Sequence, residues 1–331
     1  MNKFESIIYE NRNRILLDFV DSIFISMFEA TRLSLKKTEE PDFVAMLVKH
    51  GTRLIANALH KVIKPHGISL KVSSVFCHQK PIVSFDKSNN ETCACEIGDV
   101  LIAHIHNDGK YQKKMALLLQ AKMVENIPFY IDKLNNPQYY LYHHWPIFTY
   151  KRSIKHLKGK KRNICPKGYH LGAQYLLIGN IDNLMYCQSA DMDIGCMAVS
   201  LSNNPLWPSR SLAEEILLLM MGVSGRSWDD SNNSLGWSQL IRDLLYMGAV
   251  SVFNRRNVGL NGQRRKSTFF LSFFSKHDEK ELMESRNYLA VAQNFLVSSG
   301  YNGGDFILTD EEVMDENHSG VSIILIQTGD E

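Results

Sequence analysis

Two stretches decide how this chain reads: Cys95-Glu96-Ile97-Gly98-Asp99-Val100-Leu101-Ile102, and Ala116-Leu117-Leu118-Leu119-Gln120-Ala121-Lys122. Between them stands Asn107-Asp108-Gly109-Lys110, a hairpin turn signature. Met115 to Ala121 is nearly unbroken in apolar character, the pattern of a strand buried on both faces. In antiparallel neighbours the start of one strand lies beside the end of the next, so the hairpin brings Asp99 back towards Gln120 and Lys122. Strand side chains alternate, which puts Gln120 and Lys122 on one face and Ala121 on the other. Polar groups closing an apolar run are costly to bury without partners, so their placement needs a reason.

Phosphodiester hydrolysis supplies one. A carboxylate and a second oxygen ligand can hold Mg2+, which keeps several waters and contacts substrate phosphate. The metal polarises the phosphoryl oxygen and lowers the pKa of bound water. A lysine beside it can orient the attacking water and stabilise developing charge. The structural alternative is that Asp99 opens a turn and Lys122 snorkels at a strand end.

Upstream of the hairpin, residues 4 to 36 carry apolar side chains at helical spacing, from Ile7 and Ile8 through Phe19 to Phe28. Glu39-Glu40-Pro41-Asp42 stops that helix and starts another, which runs to about Ile63 and ends at Lys64-Pro65-His66-Gly67. Ser69 to Phe76 and Pro81 to Phe85 read as strands, as does Val100 to Ile105. Downstream, Gln138 to His143 reads as a short helix and Gln174 to Ile178 as a buried strand. The texture changes near residues 195 to 205. Helices are expected over 212–221, 237–247 and 279–297, and strands over 250–253, 268–274 and 321–326. The expected organisation is a domain over residues 1–195 with N-terminal helices, then an α+β accessory domain over 196–331.

With 44% hydrophobic and 22% charged residues, the composition is that of an ordinary globular protein. The net charge of +2 means that attraction to nucleic acid needs a local patch rather than a polycationic chain. The six cysteines do not read as a secreted disulfide framework, and no apolar run reaches the roughly 18 residues of a membrane span. A cytoplasmic setting without a membrane is expected.

Such a patch exists. Lys151, Arg152, Lys155, Lys158, Lys160, Lys161, Arg162 and Lys167 fall within 17 residues that contain no acid. Just before them stand Tyr139, Tyr140, Tyr142, Trp145, Phe148 and Tyr150. Basic side chains neutralise phosphates and aromatics stack on bases, although a solvated loop beside a core cluster reads equally well. A second patch, Arg255, Arg256, Arg264, Arg265 and Lys266, flanks a turn that could form a wing after the 237–247 helix. Cys93 and Cys95, Cys77-His78, His104 and His106 lack structural zinc spacing and read as buried cysteines and surface histidines. Gly222 to Ser227 lacks the Gly-Lys-Ser/Thr ending of a phosphate loop.

An acid, a hairpin, and Gln-x-Lys at the end of an apolar strand resembles the PD-(D/E)XK nucleases, in particular the Mrr-like group in which Gln replaces the second acid. Gly98 stands before the acid in place of the familiar Pro, as in that group. The resemblance covers roughly residues 42 to 180. It implies an α/β fold with a restriction-endonuclease-like mixed sheet flanked by helices, and an Mg2+- or Mn2+-dependent endonuclease. By position, Asp99 would ligate the metal, Gln120 and the Ala121 carbonyl would complete or support that ligation, and Lys122 would act on water and phosphate. Glu96 is the extra acid if a second carboxylate is needed, and Gln138 could face the site. DNA follows as the substrate, bound by the basic residues from Lys151 to Arg162. A stand-alone nuclease endangers its host, so a prokaryotic defence component is expected. It would be gated by a helicase or ATPase, another defence protein, a ligand or oligomerisation. The competing reading is a nuclease-fold subunit that binds nucleic acid or assembles a complex without chemistry.

Overall fold

The computed structural model describes residues 2–78, 81–133, 135–179, 197–231, 235–250, 256–258, 270–275, 282–285, 288–300 and 320–329. Its N-terminal helical region divides where the sequence suggests a single helix. α1 (Lys3–Glu10) and α2 (Arg12–Leu33) are separated at Asn11, whose side-chain amide donates to the Ile7 carbonyl at 2.9 Å. The helix expected after the Glu39 break is present as α3 (Glu40–Met46) and α4 (Thr52–Ile63), joined by a π-helical turn at Leu47–Gly51. Gly51 packs against Ser26 of α2, where an added Cβ would make an ordinary contact of 3.5 Å.

The strands in chain order are β1 (Ser69–Val75), β2 (Ile82–Asp86), β3 (Thr92–Glu96), β4 (Val100–Asn107) and β5 (Gln112–Val124). After α5 (Pro137–His144) come β6 (Phe148–Arg152), β7 (Lys161–Arg162), β8 (Ala173–Gly179), β9 (Met197–Ser200) and β10 (Arg210–Ser211). α6 (Leu212–Met221), β11 (Arg226–Ser227) and α7 (Trp237–Val250) follow, then β12 (Phe270–Ser275), β13 (Met283–Ser285), α8 (Tyr288–Ser298) and β14 (Ser322–Gly329). The large sheet runs β10-β9-β8-β5-β4-β14-β1-β12-β13, with β11 also on β5. It is mixed: β14 pairs parallel to β4 and β8 parallel to β5, while β4 and β5 form the expected antiparallel hairpin. A smaller antiparallel sheet runs β3-β2-β6-β7.

Helices cover both faces of the large sheet. On β1, Ser74 Oγ donates to Val48 O beside α3, whereas Ser73 Oγ accepts from Asn294 of α8 on the opposite face. A Cβ on Gly248 of α7 would reach Val75 Cγ1 at 3.5 Å, so α7 lies on the α8 side. Sandwiching explains why Met115 to Ala121 is buried throughout.

The sheet also runs through the boundary expected near residues 195–205. β9 pairs with β8 across it, and β14, from the C-terminal end, lies between β4 and β1. One hydrophobic core extends from Phe4 to Ile326. The glycine- and serine-rich stretch after α6 carries β11, where Gly225 adopts φ +73° and a Cβ would lie 2.9 Å from Ala116 O. Of the expected C-terminal elements, residues 251–253, 268–269 and 279–281 lie outside the described residues, as do Arg255, Arg264, Arg265 and Lys266. No described helix is long and apolar enough to cross a membrane.

Candidate active site

The β4–β5 register pairs Val100 with Leu119, which sets Asp99 opposite Gln120. Asp99 is held from both sides by its backbone: its N–H donates to Leu119 O at 2.8 Å and its carbonyl accepts from Ser322 N at 3.0 Å. β14 therefore helps fix the residue that the hairpin presents. Gly98 is required by close packing. A Cβ there would lie 2.7 Å from Leu118 Cδ1 and 2.9 Å from the Tyr142 hydroxyl, which donates to Ile97 O at 2.9 Å.

The Asp99 carboxylate is buried, and one of its oxygens accepts from Ala121 N at 2.8 Å and from the Gln120 side-chain amide. Ala121 thus meets the carboxylate through its N–H. The Gln120 Oε1 is buried with no hydrogen-bond partner. Lys122, two residues on, shares the Gln120 face as the alternation requires.

Two side chains from other elements complete the group. Glu96 closes β3 of the small sheet, and His78 follows β1. One ligand atom from each of His78, Glu96 and Asp99 lies within 4.8 Å of the others. Glu40, the first residue of α3, approaches from the helical layer and accepts from Met123 N at 3.3 Å. Burial pushes the Asp99 carboxyl well above its ordinary range, and the Glu40 and Glu96 carboxyls push it further. Burial likewise raises Glu96 and Glu40, in each case opposed by Lys122. Three crowded carboxyls around one lysine favour shared protons, and a bound cation would stabilise their ionised form instead.

The residues fit a divalent metal. Two carboxylates and an amide oxygen suit Mg2+ or Mn2+, while an imidazole ligand is more typical of transition metals. That amide oxygen is Gln120 Oε1, buried beside Asp99 with no hydrogen-bond partner. Beyond Glu96 a depression of about 530 Å³ is lined by Cys95, Glu96, Asn136 and Gln138, so Gln138 shares a depression with Glu96. It shares Asn135 with a second depression of about 520 Å³ that extends along α5 to Lys87 and His144.

The basic stretch divides. Lys151, Arg152, Lys155, Lys158, Lys160 and Lys161 are exposed on the β6–β7 hairpin. Arg162 is instead committed to the fold: Nε and Nη2 donate to the buried Asp243 carboxylate at 2.6 and 3.0 Å. The aromatic cluster is mostly core, since Tyr139, Tyr142, Trp145, Phe148 and Tyr150 are all buried, so these rings form no stacking surface. The histidine expectation is also corrected. His104 and His106 are buried, each 3.0 Å from Thr328 Oγ1 and stacked on Phe4, because β14 and α1 cover that part of β4.

His78 and Glu40 were missed as site residues by sequence reasoning. Glu40 reads as a helix-start acid and His78 as half of an unconvincing Cys-His pair. Neither has a local signal tying it to Asp99. Compared with protein-family models, curated proteins and solved structures, the chain matches none.

Proposed function

We propose that this chain is a metal-dependent nuclease whose site is built from His78, Glu96, Asp99, Gln120 and Lys122. The observation that carries this reading is the meeting of His78, Glu96 and Asp99 ligand atoms within 4.8 Å, beside the hairpin strand that ends in Gln120-Ala121-Lys122. Glu96 and Asp99 would hold Mg2+ or Mn2+ with His78, and the Gln120 oxygen would support them. When bound, the metal supplies phosphoryl polarisation and a water of lowered pKa. Lys122 stands beside the carboxyls, where its ammonium can steer a water and balance charge on a phosphate oxygen. Ala121 N–H fixes the orientation of the Asp99 carboxylate, which also hydrogen-bonds to Glu96. Gln138 lines the adjoining depression, where it can hydrogen-bond to substrate.

The resemblance to PD-(D/E)XK nucleases supports the same reading. Helix α4, strands before Asp99, the β4–β5 hairpin, α5 and the parallel strand β8 follow in a compatible order, with one more strand before Asp99 than it implies and β6 and β7 inserted between α5 and β8. DNA is the substrate proposed from that resemblance, with the exposed lysines from Lys151 to Lys161 as its backbone contacts. A cytoplasmic role in prokaryotic defence, gated by a helicase or ATPase or by self-assembly, belongs to the same proposal. A second reading is favoured by one feature. Gln120 contributes a neutral amide where a second acid would strengthen the metal site, as a binding subunit without catalysis would tolerate.

The test is cleavage of plasmid and linear DNA with Mg2+ or Mn2+, with and without EDTA, by wild type and by Asp99→Ala and Lys122→Ala. Metal-dependent cleavage lost in both variants is the expected result. Salt-dependent DNA binding without cleavage under any condition would favour the binding subunit, and neither binding nor cleavage would refute both readings.

A further inference from the structure

A second polar cluster lies at the C-terminal end of α5 and shares no residue with the carboxylate site. α5 closes on Trp145, which adopts a left-handed conformation at φ +46° although it is not glycine. Its indole is fully buried, and its ring centroid lies 5.5 Å from His170 and 6.1 Å from Trp237. His170 in turn lies 5.0 Å from Trp237, whose ring centroid is 5.6 Å from the Arg226 guanidinium carbon. Gly172 permits this crowding, since a Cβ there would lie 2.9 Å from Trp237 Cζ2 and 3.1 Å from His170 Nδ1.

Four nitrogens of this group, Trp145 Nε1, His170 Nε2, Arg226 Nη1 and Trp237 Nε1, are shielded from solvent and have no hydrogen-bond partner. All four are donors. Gly172 N donates to His170 Nδ1 at 3.1 Å, so the neutral ring carries its hydrogen on Nε2. Burial and the neighbouring Arg226 push the His170 pKa down to about 3, which keeps that ring neutral. Buried polar groups are normally satisfied, and four unmet donors in one contact group, with no acceptor among them, is a directional deficit.

The charge points the same way. Arg226 donates through Nη2 to Cys165 O, and Lys167 Nζ donates to Trp145 O at 2.5 Å and Asn163 Oδ1 at 2.7 Å. Among the described residues neither cation has a carboxylate partner. Elsewhere Lys113 meets Glu5, Lys114 meets Asp230 and Arg162 meets Asp243. Two cations, one imidazole N–H and two indole N–H groups outnumber the roughly four lone-pair sites of a carboxylate and suit an anion with more oxygens.

We propose that Trp145, Lys167, His170, Arg226 and Trp237 form a binding site for a phosphate-type oxyanion, either free or carried by a nucleotide. Arg226 and Lys167 are the members nearest the surface, and a ligand enters by displacing their contacts with the Cys165 and Trp145 carbonyls. The site stands independently of the nuclease reading.

The experiment titrates the full-length protein, in EDTA and at ionic strength held constant with chloride, with inorganic phosphate and separately with a nucleoside monophosphate. Trp145 and Trp237 are two of the chain's four tryptophans, so intrinsic fluorescence reports binding, with calorimetry as a second readout. Saturable binding is expected, weakened at least tenfold by Arg226→Gln and by Lys167→Gln, and unchanged by Asp99→Asn. Lys167 is exposed, so its variant reports on the site even if Arg226→Gln folds poorly. Tighter binding of the nucleotide than of phosphate assigns the ligand to a nucleotide, and equal binding assigns it to the free anion. No saturable response, an equal response in chloride alone, or binding indifferent to both substitutions would overturn the site. Loss of DNA cleavage in Asp99→Ala bears only on the carboxylate site.

Discussion

The two ends of strand β4 both bury polar residues, and they solve the problem in opposite ways. At one end His104 and His106 share the Thr328 hydroxyl and stack on Phe4, and burial keeps His104 neutral with its pKa pushed down to about 3. At the other end Asp99, Glu96 and Glu40 crowd one another: burial raises all three carboxyls, and like-charge repulsion adds to the shifts of Asp99 and Glu40. The first end avoids a like-charge conflict by neutrality: burial, with His106 and Lys113 nearby, keeps the His104 ring uncharged. The second retains a conflict that a simple apolar or paired substitution would remove, and such retained cost is where function is expected.

Substitutions should separate the ends. The largest effect is expected on catalysis: Lys122→Ala should lower metal-dependent DNA cleavage by about 100-fold or more while the folded protein keeps its thermal stability. A stable Lys122→Ala protein with full activity would remove the lysine from the chemistry. Next, His104→Ala should cost about 3 kcal/mol in urea unfolding, from lost packing and a stranded Thr328 hydroxyl, yet leave cleavage per folded molecule unchanged. Gly98→Ala should cost about 2 kcal/mol by forcing a methyl against Leu118 and the Tyr142 hydroxyl. A neutral result there would mean that the segment before Asp99 yields more readily than its packing suggests.

The ends should also differ in pH dependence. The unfolded His104 takes up a proton near its ordinary 6.5, whereas the folded one resists until about 3. Its contribution is therefore present above pH 6.5 and lost progressively between 6.5 and 3. Phe4, His106, Thr328 and Lys113 surround it, and Lys113 is itself paired with Glu5, so acid that protonates Glu5 steepens the loss. Asp99 has the opposite sign: its folded pKa is raised, so its contribution is present below its ordinary 3.8 and lost as pH rises through the folded value. Unfolding curves collected across this range should show His104→Ala flattening the acid-side loss. Asp99→Asn should give the smallest change, a gain of about 1 kcal/mol near neutrality.

What was legible in the sequence was local. The apolar run from Met115, the Asn107 turn and strand alternation were enough to place Asp99 opposite Gln120, with Lys122 on the same face. The helix break at Glu39 and the strand at Ser69 were legible for the same reason, since turn chemistry and periodicity act within a few residues. Illegible were the relations that span the chain. β14 enters the sheet between β4 and β1 from more than 200 residues away, and no short-range pattern announces that pairing. Its arrival buries His104 and His106 and anchors Asp99 through Ser322. Arg162 looked like one more cation of a basic loop until Asp243, 81 residues on, proved to hold it. His78 and Glu40 join the site only because the sheet and the helical layer are assembled, which composition and spacing cannot report.

The most direct test of the central claim, that the carboxylate end of β4 is a cation site, is a calorimetric titration of Mn2+ into wild type, Asp99→Asn, Glu96→Gln and His104→Ala. The account predicts saturable binding by wild type and by folded His104→Ala, with affinity lowered at least tenfold by Asp99→Asn and by Glu96→Gln. Absence of saturable binding in wild type, or binding that survives both carboxylate substitutions, would contradict it.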